Sequence, residues 1–191
     1  MYLIIFATHN PNKVKEIQDL LPEHIQLKSL EDMGMTDEII EDGDTIEENA
    51  RIKAEAVANR FNMPCFADDT GLEVDALDGK PGVKSARYAG EIKDDEANKR
   101  KLLQKLENQE ERTARFKTVI VYKNGDIEQE FSGICEGDIT IRPSGNAGFG
   151  YDPIFQPKGF TKTFAEMTAS EKNSISHRSL AFQQLIEYLK P

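Results

Sequence analysis

The sequence is poor in cysteine, histidine and tryptophan, and it has no long apolar run. Its 191 residues include two cysteines, three histidines and no tryptophan. Cys65 and Cys135 have no CxxC spacing and lie in apolar segments, so we expect buried, reduced thiols. No apolar stretch approaches the length of a membrane span. The stretch Leu3 to Ala7 is too short for a signal-peptide core and lacks a basic leader, so we expect a cytoplasmic protein.

Basic residues are fewer than acidic ones. Lys and Arg number 24 against 34 Asp and Glu, which gives a formal net charge of -10. This balance disfavours a protein that coats DNA or RNA, because such a protein needs a basic face. A small nucleotide remains compatible, since a few cations in one cleft can outweigh the average charge. A polyphosphate on an acidic protein would be expected to recruit a divalent cation.

The length fits one domain, and 38% apolar residues suffice for a core. The N-terminal pattern predicts a strand at Tyr2 to Ala7, a helix from about Pro11 to Leu21, and a second strand at Ile25 to Leu30. Asn10 is a good N-cap for that helix. Strand, loop, helix and strand in this order indicate an α/β protein.

The remaining pattern predicts a mixed α/β domain with an antiparallel hairpin in its later half. The predicted elements are an acidic loop from Glu31 to Asp44, a helix from the Thr45–Glu48 capping box to about Asn62, a short strand at Cys65 to Ala67, an alternating segment at Leu72 to Leu77, a helix at Asp95 to Leu106, strands at Arg115 to Tyr122 and Ile127 to Cys135 joined through Asn124-Gly125, a glycine-rich loop at Gly145 to Gly150, and a helix at Ser176 to Leu189.

The first candidate site is Thr8-His9-Asn10-Pro11-Asn12-Lys13, where a strand ends and a helix begins. Free backbone N–H groups and the helix dipole favour an anion there. Lys13 adds a positive charge. An ordinary capped helix with a solvated lysine is the simpler alternative, and no Walker loop is present.

The second candidate site is Asp68-Asp69-Thr70-Gly71, expected directly after the short strand. Adjacent carboxylates repel each other and usually need a nearby cation. Magnesium prefers such oxygen ligands together with phosphate. One carboxylate could hold the metal while it or its neighbour orients an attacking water. The alternative is an acidic turn, since Asp, Thr and Gly favour turns.

The third candidate site is Gly148-Phe149-Gly150-Tyr151-Asp152-Pro153. Glycines let the backbone approach a ligand closely, and an aromatic ring between them suits stacking on a purine. The alternative is a tight turn in which Phe149 fills the core.

The fourth candidate site is the run from Glu171 to Arg178, which places Lys172, His177 and Arg178 at the entry to the last helix. Basic groups at a helix N-terminus oppose the dipole, so an anionic or hydrogen-bonding ligand would explain them better. A solvated basic turn is the alternative, and Arg87 is a weaker candidate for the same cleft.

Taken together, these segments resemble the inosine triphosphate pyrophosphatase family, which acts on noncanonical purine nucleotides. The resemblance runs in order along nearly the whole chain. Its six motifs are ThrHisAsnProAsnLys at 8–13, GluAsnAla at 48–50 with Lys53, AlaAspAspThrGly at 67–71, GlyLysProGlyValLysSerAlaArgTyr at 79–88, GlyPheGlyTyrAspProIlePhe at 148–155 and GluLysAsnSerIleSerHisArg at 171–178.

The resemblance implies a single two-lobed α/β domain over residues 1–191, with a long twisted mixed sheet flanked by helices and a central nucleotide cleft. It also implies a homodimer that uses Mg²⁺. The implied reaction converts a nucleoside triphosphate such as dITP, ITP or XTP and water into the monophosphate and pyrophosphate.

Residue roles follow from the matching positions. Asp69 is implied as general base and metal ligand, with Asp68 and Glu41 as further metal ligands. The implied substrate contacts are Thr8, His9, Asn10, Pro11, Asn12, Lys13 and Lys53 around the phosphates, Thr70 near the substrate, and Phe149, Gly150, Tyr151, Asp152, Lys172, His177 and Arg178 around the base. Two departures from the family are Thr70, where Ser is frequent, and His9, where Gly is frequent.

Other functions are compatible with the same residues. A pyrophosphatase for pyrimidine or modified nucleotides would also use Phe149 stacking, which tolerates any base. A nucleotide sensor without hydrolysis would gain little from the Asp68-Asp69 pair. An α/β interaction domain would leave the basic segment and the glycine-aromatic loop unexplained.

Overall fold

The chain begins with a parallel βαβ unit. In the computed structural model, which describes residues 2–18 and 21–190 but not the side chains at 11, 12, 15 and 16, β1 (Tyr2–Phe6) leads through α1 (Pro11–Gln18) to β2 (Ile25–Lys28). Tyr2 of β1 pairs with Ile25 of β2 in parallel register. The predicted α/β start is confirmed. The helix was predicted to reach Leu21, which lies in a bend, and residues 19 and 20 lie outside the described part.

The following elements complete a mixed sheet. They are α2 (Ile46–Phe61), β3 (Cys65–Val74), β4 (Pro81–Gly82), α3 (Asp95–Lys105), β5 (Thr113–Asn124), β6 (Ile127–Ile139), β7 (Phe155–Pro157), α4 (Ala169–Ile175) and α5 (His177–Leu189). The strand order is β2-β1-β3-β5-β6-β7, with β4 paired to β3. β1 is parallel to both neighbours, whereas β6 and β7 are antiparallel. The predicted mixed α/β class is confirmed.

Helix α2 begins at the predicted capping box. Thr45 accepts a hydrogen bond from the backbone N–H of Glu48, and the Glu48 carboxylate accepts from the N–H of Thr45. The helix ends at Phe61, and the capping residue Asn62 has a φ of 48° in the left-handed region that stops helices. The buried face of α2 includes Ala50 and Val57, so the position of Lys53 beside that face is set by local sequence.

Strand β3 is longer than the sequence predicted. The short strand at Cys65 to Ala67 and the segment from Leu72 form one strand, Cys65–Val74, which contains Asp68-Asp69-Thr70-Gly71. The expectation that the carboxylates follow the strand is therefore wrong. The first half of β3 pairs with β1 at Cys65, and its second half pairs with β4 at Leu72. The backbone of both halves therefore has hydrogen-bonding partners in the sheet. This pairing overrides the turn preference of Asp, Thr and Gly.

The residues form two compact units, each with its own apolar core. Unit 1 comprises Met1–Asp69, Val119–Ser132 and Ala181–Pro191, and unit 2 comprises Thr70–Thr118 and Gly133–Leu180. In unit 1, Phe6 stacks on Phe66 and both pack edge-on against Phe182. In unit 2, the rings of Phe116, Phe155 and Phe164 pack together. One domain over residues 1–191 stays a prediction.

The cysteines, the hairpin and the absence of a long apolar helix agree with expectation in the residues that the structure describes. Cys65 and Cys135 are buried and free, as expected. The hairpin prediction is confirmed, since β5 ends at Asn124 and β6 begins at Ile127 beside it. Among the described residues, no helix is long and apolar enough to cross a bilayer.

Candidate active site

The loop between β1 and α1 is organised by its own polar side chains. Thr8 is buried, and its Oγ1 accepts a hydrogen bond of 3.1 Å from the N–H of Asn10. The Oδ1 of Asn10 accepts from the N–H of Lys13 at 3.4 Å, which agrees with its prediction as the N-cap. Pro11 and Asn12 were predicted as site residues, but their side chains lie outside the described part.

His9 occupies the same loop and is half-buried. Its Nε2 atom is buried and has no hydrogen-bond partner within residues 2–18 and 21–190. A buried ring nitrogen without a partner is unfavourable unless something else bonds it. This atom is therefore suited to meet a ligand in the loop.

Lys13 is not the solvated lysine of the simpler interpretation. Its Nζ lies 2.8 Å and 3.0 Å from the two carboxylate oxygens of Asp68. The Asp68 side chain is nearly fully buried, whereas Lys13 keeps part of its surface exposed. The ion pair joins the first candidate site to the second, and Lys13 can still reach a bound anion.

Lys53, on α2, bridges two further carboxylates of unit 1. Its Nζ lies 2.8 Å from Oε2 of Glu41 and 3.1 Å from Oδ1 of Asp69. The side chains of Lys53 and Asp69 are 12% and 15% exposed, whereas Glu41 is 40% exposed. The structure thus brings a residue predicted to contact the phosphates, Lys53, together with two residues predicted as metal ligands, Glu41 and Asp69.

The protonation of this group is set by burial and by the charges around it. Burial raises the pKa of Asp69 to about 6, although the Lys53 ammonium acts in the opposite direction, and Glu41 and Asp68 raise it further. Burial lowers the pKa of Lys53, but the attraction of Asp69, Asp68 and Glu41 outweighs this effect and raises the pKa overall. Lys53 therefore stays charged, and Asp69 titrates near neutrality, which suits a general base.

The donor chemistry around Asp69 fits a hard divalent cation. Glu41, Asp68 and Asp69 offer only carboxylate oxygens, which magnesium prefers, and a cation would offset the burial of Asp69. In the described ranges, no three His, Cys, Asp or Glu side chains are gathered closely enough to hold a metal ion. The ammonium groups of Lys13 and Lys53 lie against these carboxylates instead.

Thr70 follows Asp69 directly in β3 and is half-buried. Its Oγ1 lies 2.7 Å from Oγ1 of Thr118, a fully buried residue of β5. The sequence analysis did not single out Thr118, because a threonine in a β-rich segment reads as an ordinary strand residue.

The glycine-aromatic loop presents Phe149 to solvent. The side chain is 62% exposed, so the alternative in which this ring fills the core is wrong. Asp152 is buried and holds the loop, because its Oδ2 accepts a 2.9 Å hydrogen bond from the N–H of Phe149. The N–H of Gly150 donates to Oδ2 of Asp95 at 2.7 Å. The sequence does not indicate this contact, because its pattern marks Asp95 only as the start of a helix.

Tyr151 packs in the apolar core of unit 2. It is 4% exposed, and its hydroxyl donates a 2.9 Å hydrogen bond to the carbonyl of Ser85. Burial raises the pKa of this phenol well above its usual value. Its side chain is thus committed within the protein, which leaves the backbone as the part of Tyr151 that could meet a base.

The sequence predicted Lys172 at the entry to the last helix, and this prediction is wrong. Lys172 lies in α4, a separate short helix that begins at the capping pair Thr168 and Glu171. The pattern missed α4 because Thr-x-x-Glu at 168–171 was not recognised as a second helix start. From α4, Lys172 Nζ reaches Oδ2 of the buried Asp152 at 2.6 Å.

Cations surround the exposed Phe149 ring. Lys172 Nζ lies 5.2 Å from the ring centroid, and Arg178 Cζ lies 5.5 Å from it. The buried Nε of Arg178 has no hydrogen-bond partner in the described part of the chain. His177, which begins α5, is buried and stacks on Phe116 at 4.6 Å. The structure therefore gathers Phe149, Lys172 and Arg178 into one polar-aromatic group.

The weaker candidate, Arg87, is exposed in the short helical turn Ser85–Arg87. No contact joins its side chain to the groups above among those the structure describes, so it is not placed in the candidate site.

Comparison with known proteins settles the family. Residues 4–188 match the Ham1 family along nearly the whole chain. The chain belongs to the Ham1 family. The family resemblance drawn from the six sequence motifs is thereby confirmed.

Ham1 relatives of high similarity carry a common name. A protein of Christiangramia forsetii named dITP/XTP pyrophosphatase is 57% identical over 186 residues, which cover 97% of this chain and 98% of that protein. A protein of Bacillus subtilis with the same name is 50% identical over 190 residues, covering 97% and 96%.

Solved structures of similar sequence share the fold. The Ham1 protein of Staphylococcus aureus has a TM-score of 0.94 and 41% identity, covering 98% of this chain and 97% of its own. A structure from Mycobacterium abscessus, described as a nucleoside-triphosphatase and dITP/XTP pyrophosphatase, has a TM-score of 0.85 and 39% identity, covering 99% and 100%.

Proposed function

We propose that this Ham1 protein hydrolyses noncanonical purine nucleoside triphosphates, such as dITP, ITP and XTP, to the monophosphate and pyrophosphate. Full-length relatives named dITP/XTP pyrophosphatase support this activity. The observation that carries it in this chain is the buried Asp69, whose pKa is raised to about 6 beside Lys53. A carboxylate of this kind is a competent base for activating water near neutral pH.

In the proposed reaction, water attacks the α-phosphorus. Asp69 accepts a proton from the water as the new P–O bond forms and the bond to the pyrophosphate leaving group breaks. Asp69, with Asp68 and Glu41 as the further ligands that the family resemblance implies, would hold Mg²⁺, and the ion would neutralise charge on the phosphates. Lys53 favours the ionised form of Asp69, partly offsetting the effect of burial, and adds a positive charge beside it.

Phosphate binding is assigned to the loop of unit 1. Thr8, Asn10 and Lys13 supply a hydroxyl, an amide and an ammonium group at the start of α1, where the helix dipole also favours an anion. Within the same loop, His9 contributes its unsatisfied Nε2 atom. Lys53 contributes a second ammonium group, and the assignments of Pro11, Asn12 and Thr70 as substrate contacts belong to the same proposal.

Base recognition is assigned to unit 2. Phe149 stacks on the purine with its exposed ring, and Arg178 and Lys172 donate hydrogen bonds toward the 6-oxo edge. Adenine carries a 6-amino donor at that edge, so dATP would place a donor against donors, and such mismatches discriminate strongly. The assignment of His177, which stacks on Phe116, as a further contact of the base belongs to the same proposal. Gly150, Tyr151 and Asp152 shape the same loop.

Pyrophosphate release tests the proposal directly. The unmutated chain is assayed with Mg²⁺ at slightly alkaline pH on dITP, XTP, dATP, dGTP, dCTP and dTTP, with an EDTA control and Asp69→Asn as a matched inactive variant. Fast release from dITP and XTP alone is expected, and Asp69→Asn should bind nucleotide but not turn it over. Parallel assays with Mn²⁺ and Ca²⁺ test the choice of metal.

Each other outcome selects a different function. Release from a pyrimidine nucleotide would keep the reaction but assign the enzyme to pyrimidine or modified nucleotides, since an exposed Phe149 stacks on any base. Binding without release from any nucleotide would indicate a sensor. A homodimer and a cytoplasmic location belong to the same proposal, and sedimentation and cell fractionation test them.

A further inference from the structure

The hydroxyl of Thr118 contacts one residue of the candidate site. Thr118 lies in β5 and is fully buried, and its Oγ1 is 2.7 Å from Oγ1 of Thr70. Among the described residues, the structure gives the Thr118 hydroxyl no other hydrogen-bond partner. Both residues belong to unit 2. The hydrogen bond between the two hydroxyls therefore lies within one unit.

The direction of this hydrogen bond follows from the burial of Thr118. A threonine hydroxyl has one proton to donate and two lone pairs. If Thr70 donated to Thr118, the Thr118 proton would be buried without an acceptor, which is strongly unfavourable. If Thr118 donates to Thr70, its proton is satisfied. Thr70 then keeps a free proton, and because its side chain is half-buried, that proton can reach a ligand.

We propose that Thr118 is a positioning residue that fixes the hydroxyl of Thr70 as a hydrogen-bond donor to a phosphate oxygen of the substrate. The inference rests on the proposed function, in which Thr70 lies beside the substrate directly after Asp69. Phosphate oxygens only accept hydrogen bonds, so a hydroxyl with its proton turned away from the protein complements them. Without Thr118, the Thr70 hydroxyl would rotate freely and lose this bias.

Steady-state kinetics on dITP with Mg²⁺ test the role of Thr118. Thr118→Val keeps the shape of the side chain but removes the hydroxyl, and we expect it to lower kcat/KM about three- to tenfold, as for one lost hydrogen bond. Thr118→Ser restores the hydroxyl and should restore the activity. Thr113→Val, the same change on the same strand, is the control and should leave kcat/KM unchanged, because Thr113 bonds Asp75 at an exposed position.

A double-mutant cycle separates positioning from a general structural effect. In a Thr70→Val background, adding Thr118→Val should cause no further loss, because Thr118 acts only through Thr70. Losses that multiply, or a Thr118→Val enzyme equal to the unmutated one, would overturn the inference.

Turnover by the unmutated chain is measured first, since its absence would defeat the proposed function rather than this inference. In that case NMR of threonine-labelled protein tests the direction of the hydrogen bond between Thr118 and Thr70. A slowly exchanging hydroxyl proton at Thr118 and a rapidly exchanging one at Thr70 are expected, and the reverse pattern would refute the inference whatever the turnover.

Discussion

Lys53 Nζ lies 3.1 Å from Oδ1 of Asp69, and both side chains are largely withdrawn from water. The ammonium compensates only part of the desolvation, because burial still raises the pKa of Asp69 to about 6. The surroundings of Asp69 disfavour its charge. The ionised carboxylate is therefore a better proton acceptor, but it lowers the stability of the folded protein.

Replacing Asp69 by Asn should stabilise the metal-free protein at neutral pH. The carboxyl titrates near 3.8 when unfolded and near 6 when folded, so between these values the unfolded chain loses its proton first and stability falls as pH rises. Asp69→Asn removes this loss, worth up to about 3 kcal/mol. Denaturant unfolding in EDTA should show the gain at about pH 8 and none below about pH 4.

Asp32→Asn provides a control of opposite sign. The Asp32 carboxylate accepts hydrogen bonds from the N–H and hydroxyl of Ser29, which lower its pKa. Asp32 therefore contributes stability above its unfolded pKa that is lost as pH falls through the folded value. Asp32→Asn should destabilise the protein at neutral pH. An Asp69→Asn protein that is also less stable at neutral pH would contradict the account of Asp69.

Phe149→Ala should weaken nucleotide binding with little effect on folding. The ring is 62% exposed, so its removal leaves no cavity, whereas loss of base stacking costs about 1–3 kcal/mol. KM for dITP should rise about five- to 150-fold at that cost, with the melting temperature nearly constant. Phe160→Ala removes another exposed ring of unit 2 and should leave KM unchanged; an equal effect of both changes would exclude stacking.

Lys172→Met should destabilise the protein far more than the same change at Lys162. Lys172 pairs with Asp152, whose side chain is 4% exposed, and removal of one partner leaves an uncompensated buried charge, at a cost of about 3–5 kcal/mol. Lys162 pairs with Glu171 at the surface, where such pairs contribute about 0–1 kcal/mol. Unfolding free energies of the two variants measure the difference, and similar values would show that the Asp152 pair is solvated.

Gly148→Ala should disrupt the base-binding loop, whereas Gly150→Ala should not. A Cβ at Gly148 would overlap Oδ2 of Asp152, an atom that Lys172 holds in place. A Cβ at Gly150 meets nothing within 4 Å. Both positions have positive φ, so both changes carry backbone strain of about 1 kcal/mol. Gly148→Ala should therefore raise KM and lower the melting temperature more than Gly150→Ala does. Equal effects would show that the Asp152 side chain can move aside.

Features that depend on neighbouring positions could be predicted from the sequence. The Thr45–Glu48 capping box and the Asn10 cap involve residues three positions apart, so their spacing alone indicates the interaction. The start of α4 is equally predictable from the sequence, because Thr168 and Glu171 form the same local pattern. The family, likewise, followed from the order of six short motifs.

The sequence by itself determined the family, the α/β class, the helix starts and the types of group available to bind a nucleotide. Only the tertiary structure decided their partners: Lys13 meets Asp68 across 55 positions, and Thr70 meets Thr118 across 48. It also decided that Asp68 and Asp69 lie within β3 and that Phe149 is exposed. The physical reason is that local spacing fixes hydrogen bonds within a turn, whereas burial and long-range ion pairs depend on which strands the sheet places side by side.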